Sequence, residues 1–111
     1  MNVHWYWPSN NHLLWQNDYE IYSWKNNQAE ELILRVSEPI TGFAWHPQRN
    51  YLIYSNQEAI FLSFNEGGKT KNLKILQATQ INSLFLDAST KLLYFKAQID
   101  QQTGIFKLFV Q

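Results

Sequence analysis

The sequence predicts an all-β fold in which a unit of short strands is repeated along the chain. Apolar runs rich in β-branched and aromatic residues alternate with polar and turn-forming residues. Similar segments recur about 40 residues apart. No run keeps the apolar spacing of a helix over enough residues to compete with the strand interpretation. The chain of 111 residues has the length of one domain, so residues 1–111 are taken as a single domain.

The repeat shows at two offsets. Pro8–Trp15 aligns without a gap with Pro47–Tyr54, an offset of 39 residues, and Ile40–Trp45 aligns with Ile81–Leu86, an offset of 41. Shorter matches pair Leu92–Phe95 with Tyr51–Tyr54, Ile21-Tyr22 with Ile60-Phe61 and Ile105-Phe106, and Leu32–Leu34 with Leu73–Ile75. A period of about 40 residues falls in the range of propeller blades. The predicted units are 1–39, 40–80 and 81–111.

Each unit is predicted to form a four-stranded antiparallel blade. In the middle unit the strands are Ile40–Trp45, Tyr51–Ser55, Ala59–Phe64 and Leu73–Leu76. The third unit ends just after its third strand and lacks an outer strand, so the chain holds about two and three-quarter blades.

Gly42 indicates which strand is crowded. Strand alternation places Ile40, Gly42 and Ala44 on one face, and such small residues predict close approach by another backbone. A β-bulge at Gly42 is the alternative.

The run ITGFAWHPQRNYLIYSNQEAIFLSF resembles a blade of TolB-like or WD-repeat β-propellers. More narrowly, it resembles the C-terminal propeller of certain bacterial surface proteins that follow a PEGA domain. This resemblance implies the fold and a parent protein at the bacterial cell surface, but it implies little about activity, because propellers host many functions. The sequence departs from the WD pattern, since it has no Gly-His or Trp-Asp pair, and it contains no PEGA segment.

The predicted blade number implies self-association. Propellers have about four to eight blades, since each blade buries its face against the next. Three units leave apolar faces open at both ends. We therefore expect a homo-oligomer, most simply a dimer of six blades, with the third unit of one copy packed on the first unit of the next.

Composition removes several classes of function. The formal net charge is zero, which argues against nucleic-acid binding, and no apolar run is long enough for membrane insertion. Cysteine is absent, which excludes disulfides and thiolate chemistry, and the N-terminus has no signal-peptide pattern. His4 and His12 lack metal-ligand spacing, and no catalytic motif occurs, so we expect no enzyme, cofactor or metal.

The expected function is a non-enzymatic structural or protein-interaction module, and the alternative is a lectin-like, carbohydrate-binding propeller. Candidate interface or ligand residues are Trp5 and Trp7, which share one face of the first strand with Val3, and the loop residues Asn17, Asp18, Asn56 and Glu58. An ungapped alignment matches that face of the first strand to the face of Gly42 and Ala44. The loop residues are more simply explained as turn formers. The loop Ile99–Gly104 is expected to be longer than its equivalents. His46 and Asp87 occupy equivalent strand ends. Two interpretations of this pair are an acid–base pair and polar residues that begin a turn.

Overall fold

The computed structural model describes residues 4–9, 11–46, 51–87, 89 and 91–110. These residues form three antiparallel sheets, which confirms the all-β prediction. The chain divides into two compact units, Met1–Ile40 and Thr41–Gln111. In the part of the chain described, no helix is long and apolar enough to span a membrane.

Every sheet is a meander of strands that follow one another in the sequence. Sheet 1, in the first unit, has the order β1-β2-β3-β4, with strands His4–Ser9, His12–Gln16, Glu20–Lys25 and Glu31–Arg35. Sheet 2 has the order β5-β6-β7-β8, with strands Gly42–His46, Tyr51–Ser55, Ala59–Glu66 and Lys69–Gln77. Sheet 3 has the order β9-β10-β11, with strands Thr79–Asp87, Leu92–Ile99 and Gln102–Phe109. Four strands in each of the first two repeats and three in the last match the prediction.

Two polar segments form tight hairpins where the sequence suggested longer loops. Gly67 and Gly68 both have positive φ, 61° and 82°, as a type I′ turn requires, and β7 and β8 extend up to this turn. Asp100 and Gln101 likewise have φ of 50° and 67° between β10 and β11. The expectation of a long loop over Ile99–Gly104 was therefore wrong, because the additional residues lengthen both strands and leave a two-residue turn.

Each sheet has an aromatic face and a second face. The aromatic face carries the row Trp5, Trp15 and Tyr22 in sheet 1, Phe43, Tyr54 and Phe61 in sheet 2, and Phe95 with Phe106 in sheet 3. The second face of sheet 2 carries Ala44, Ile53 and Ile60, after which we call it the aliphatic face, and it has Tyr51 and Phe64 at one end. Period-two alternation along the strands produces this division.

The core of the compact unit Thr41–Gln111 lies between sheets 2 and 3. The aliphatic face of sheet 2 packs on the aromatic face of sheet 3, and the buried members are Ala44, Ile53, Ile60, Ala78, Ile81, Leu93, Phe95 and Ala97. Fully burying one of the isoleucine, leucine or phenylalanine side chains contributes about 1.5–3 kcal/mol. This contact holds the two sheets together as one compact unit.

Strands β5 and β9 approach each other closely within this core. A Cβ built on Gly42 would lie 3.2 Å from Leu84 Cγ and 3.3 Å from the Leu84 backbone nitrogen. The β5–β6 register runs without a shift from Gly42 opposite Ser55 to His46 opposite Tyr51. Close backbone approach therefore accounts for Gly42, and a bulge does not.

The outer strands of sheets 1 and 2 carry the same irregularity. Ile21 and Tyr22 pair with Leu34 and Leu32, which leaves Ile33 as an extra residue in β4. In sheet 2 the corresponding shift leaves Ile75 as the extra residue of β8, between the partners of Ile60 and Phe61. Ile33 is thus equivalent to Ile75, so the aligned segments Leu32–Leu34 and Leu73–Ile75 were offset by one residue.

We predict that Gly42→Ala lowers the free energy of unfolding by about 1 kcal/mol and Gly42→Val by about 2–3 kcal/mol, because Leu84 must move aside. Urea denaturation measures both changes. Gly104→Ala is the matched control, since no described heavy atom lies within 4 Å of a Cβ placed there. An equal loss of unfolding free energy in Gly42→Ala and Gly104→Ala would contradict the close-approach explanation.

Candidate interaction surfaces

An aromatic stack between the second and third strands recurs in all three sheets. The ring centroids are 4.4 Å apart for Trp15–Tyr22, 5.1 Å for Tyr54–Phe61 and 6.0 Å for Phe95–Phe106, with interplanar angles of 16°, 17° and 27°. Offset stacking of this kind adds about 0.5–1.5 kcal/mol to the burial of the rings. The stacks occupy equivalent positions and mark the same face of each sheet.

The aromatic face of sheet 1 is exposed at Trp5 and half-buried at Trp15 and Tyr22. Trp5 extends the stack, with its ring 6.1 Å from Trp15, and 62% of Trp5 and 56% of Trp7 is accessible to solvent. By contrast, Tyr54 in sheet 2 and Phe95 in sheet 3, which hold the position of Trp15, are buried. Sheet 1 therefore presents the face that sheet 3 buries.

The register corrects the expected position of the first-strand tryptophans. Trp5 lies opposite Trp15, whose equivalent Tyr54 lies opposite Phe43, so Trp5 takes the place of Phe43 rather than that of Gly42 or Ala44. A register shift between Tyr6 and Ser9 breaks the ungapped alignment. The side chain of His4 lies outside the described residues, as does the whole of Pro47–Asn50.

The second face of sheet 3 is also exposed; the sequence analysis expected an open apolar face on the third repeat but did not name its residues. Phe85, Tyr94 and Ile105 occupy the positions that Ala44, Ile53 and Ile60 hold in sheet 2. Phe85 is 63% exposed, Ile105 71% and Phe109 58%. Apolar residues on both faces of β11 were the available signal, because a strand covered on one side alternates apolar and polar residues.

The candidate loop residues Asn17 and Asn56 build turns. Asn17 Oδ1 accepts hydrogen bonds from the backbone nitrogens of Tyr19 and Glu20, at 3.0 and 2.8 Å. Asn56 Oδ1 accepts equivalent bonds from Glu58 and Ala59, at 2.8 and 2.9 Å. These are the bonds by which asparagine stabilises a turn, so both side-chain oxygens have structural partners.

The backbone of these loops ties each turn to the segment after the fourth strand. The Tyr19 carbonyl accepts a hydrogen bond of 2.9 Å from Val36 N, and the Glu58 carbonyl accepts one of 3.0 Å from Ala78 N. The Asp18 carbonyl accepts a further bond of 2.7 Å from Ile40 N. Asp18 and Glu58 thus serve the fold through their backbone oxygens.

A charged cluster lies beside the first of these turns. Arg35 Nε and Nη2 donate to Glu20 Oε2 at 3.0 and 2.6 Å, and Asn17 Nδ2 donates to Glu20 Oε1 at 3.0 Å. The hydrogen bond from Asn17, followed by that from Arg35, lowers the pKa of Glu20. An open cavity of about 540 Å³ is lined by Asn17, Asp18, Tyr19, Glu20, Arg35 and Val36. Because Glu20 neutralises Arg35, the cavity presents no isolated charge from this pair to a ligand.

The histidines and Asp87 have structural surroundings. His46 and Asp87 end β5 and β9; His46 is buried with its ring edge-on to Tyr51, and Asp87 Oδ1 accepts hydrogen bonds from the Ser89 nitrogen and hydroxyl. His12 Nε2 lies 2.8 Å from Ser23 Oγ, and burial, with Lys25 nearby, lowers the pKa of His12. Within the described ranges, no group of three or more His, Asp or Glu side chains could hold a metal ion.

Comparison of the chain with protein-family models, with curated proteins and with solved structures finds no match.

We predict that Asn56→Ala lowers the free energy of unfolding by about 1–2 kcal/mol, because two backbone donors of the turn lose their acceptor. Asn56→Asp keeps that acceptor and should retain most of the stability. Thermal denaturation followed by circular dichroism measures both variants. Loss of stability in Asn56→Asp as large as in Asn56→Ala would contradict the turn role.

Proposed function

We propose that the chain is a non-enzymatic structural or protein-interaction module whose sheets act as blades of a β-propeller and which closes its ring by self-association. Two copies would contribute six sheets, within the usual range of about four to eight blades. The observation that most directly supports this proposal is the packing of the aliphatic face of sheet 2 on the aromatic face of sheet 3.

That contact is a template for a contact between copies. Sheet 1 exposes the aromatic face that sheet 3 buries, and sheet 3 exposes the face equivalent to the aliphatic face of sheet 2. The second face of sheet 3 in one copy can therefore pack on the aromatic face of sheet 1 in the next. Such a head-to-tail contact forms a ring where the rotation between copies closes.

The composition of the two exposed faces supports this pairing. The exposed residues are Trp5, with Trp7 on the same strand, in sheet 1, and Phe85, Ile105 and Phe109 in sheet 3. Aromatic residues are enriched at the centres of protein interfaces, where they contribute a large buried area. Contiguous apolar faces of this kind are rarely left open to solvent.

We predict a solution mass of twice the 13.2 kDa of one chain at micromolar concentration. Phe85→Asp should reduce the mass to that of one chain, because a carboxylate would be buried without a partner at the contact. Native mass spectrometry and light scattering measure the change.

Leu73→Asp is the matched control, since Leu73 is exposed on the outer strand of sheet 2 and belongs to neither proposed contact face. This variant should keep the mass of the wild-type protein. A folded wild-type monomer, or an unchanged mass in Phe85→Asp, would refute the self-association proposal.

A carbohydrate-binding function is the second candidate, and the exposure of Trp5 and Trp7 on one strand favours it. An exposed indole can stack on the apolar face of a sugar ring. In this case a glycan array would show binding that Trp7→Ala removes, while Phe85→Asp retains it. Absence of binding to any glycan by the folded protein would exclude this candidate.

A further inference from the structure

The open cavity beside the first turn of sheet 1 has no part in the proposed function. Its volume is about 540 Å³, within the range of about 300–1,000 Å³ that is common for small-molecule sites. Its lining residues are Asn17, Asp18, Tyr19, Glu20, Arg35 and Val36. All of them belong to the compact unit Met1–Ile40, so the cavity is formed within one unit. We call it the turn cavity.

Glu20 ties one wall of the turn cavity together. Its Oε2 atom accepts hydrogen bonds from Arg35 Nε and Nη2 at 3.0 and 2.6 Å, and its Oε1 atom accepts one from Asn17 Nδ2 at 3.0 Å. Burial, followed by the hydrogen bond to Glu20, raises the pKa of the Tyr22 hydroxyl. This network orients the Arg35 side chain and cancels its charge.

The corresponding turn of sheet 2 forms without such a network. Asn56 makes the turn bonds of its counterpart in sheet 1, and the turn is tied in the same way to the segment after the fourth strand. Ala59 and Gln77, however, pair where sheet 1 has Glu20 and Arg35. Folding of the turn therefore does not require the charged pair, which indicates a role for it beyond the fold.

The Asp18 carboxylate supplies the charge of the turn cavity. Within the part of the chain that the structure describes, this carboxylate has no hydrogen bond or ion pair, and only the Asp18 carbonyl is engaged, by Ile40 N. Two carboxylates and one guanidinium give the lining a formal charge of −1. Tyr19 lines the same cavity and is exposed. A carboxylate and a tyrosine ring both attract an organic cation.

We propose that the turn cavity binds a small organic cation, whose ammonium group pairs with Asp18 and whose apolar chain packs on Tyr19 and Val36. Anions are disfavoured, because Glu20 already neutralises Arg35 and Asp18 repels a second negative charge. Such an ammonium group occurs in free amines and in the lysine side chains of a polypeptide. The site goes beyond the proposed function and does not depend on self-association.

The probe is hexylamine, which is protonated at neutral pH, and its matched controls are hexanoate and hexanol. We expect hexylamine to cause saturable changes in the NMR shifts of the backbone amides of residues 17–20 in the full chain. Hexanol should bind more weakly by about tenfold, because it has the apolar chain without the charge. Hexanoate should not bind, since its charge is repelled.

Variants of the protein test the two parts of the site. Asp18→Asn should weaken hexylamine binding by about tenfold, because it removes the charge and keeps the shape of the side chain. Glu58→Gln is the matched control and should bind as the wild-type protein does, since Glu58 belongs to the corresponding turn of sheet 2. Tyr19→Ala should weaken binding several-fold, whereas Tyr19→Phe, which keeps the ring, should retain it.

Exchange of the charged pair for its counterpart in sheet 2 tests the comparison of the two turns. The double variant Glu20→Ala with Arg35→Gln should fold and keep a melting temperature close to that of the wild-type protein, because an exposed ion pair contributes little stability. Circular dichroism measures the melting temperature. A large decrease would show that the turn needs the pair, and would contradict a role beyond the fold.

An amide-capped lysine distinguishes the two sources of the ammonium group. Tighter binding of capped lysine than of hexylamine would assign the site to a polypeptide side chain, and weaker binding would assign it to a free amine. The proposal would be overturned by absence of saturable binding of both compounds to the folded wild-type protein, by equal binding of hexanol and hexylamine, or by undiminished binding to Asp18→Asn. Failure of self-association appears in the solution mass without any amine and is thereby distinguished.

Discussion

The close approach of β5 and β9 constrains the whole of the compact unit Thr41–Gln111. With only a hydrogen on Gly42, the backbone of Leu84 comes near enough for the aliphatic face of sheet 2 to contact the aromatic face of sheet 3. Ala44, Ile53 and Ile60 of sheet 2 and Ala78, between β8 and β9, share one buried cluster with Leu93, Phe95 and Ala97 of sheet 3. The contact thus combines alanine and isoleucine on one face with Leu93, Phe95 and Ala97 on the other, in the close packing typical of protein interiors.

The three sheets reuse the same local chemistry, and their surfaces differ. Asn17 and Asn56 make equivalent turns, and Ile33 and Ile75 form equivalent bulges. The aromatic stack recurs in every sheet. The residues at equivalent positions on the sheet faces differ. Sheet 2 has Ala44 where sheet 3, whose second face is open, has Phe85. Local interactions define the sheet, and the substitutions on its faces define what it can contact.

The sequence predicted the strands and turns correctly where a residue type has one main structural consequence. Asparagine at the turns and the recurring Ile-aromatic pairs located the strands and the number of sheets, since these signals act within a few residues. Bulges could not be located, because three apolar residues in succession, Leu32, Ile33 and Leu34, allow either register. The residues of the exposed face of sheet 3 were not identified from the sequence, because exposure of Phe85 and Ile105 depends on what packs against them rather than on local sequence.

The meander topology has a consequence for how the chain could change in length. Every strand described here bonds only to its neighbours in the sequence, so no backbone ladder joins one sheet to another. Insertion or loss of one whole sheet, with its segment of about 40 residues, would therefore leave the hydrogen bonds of the remaining sheets intact. Only the packing of one sheet face on another would change. Growth of this architecture by tandem duplication requires no new backbone pairing, only a new pair of matching faces.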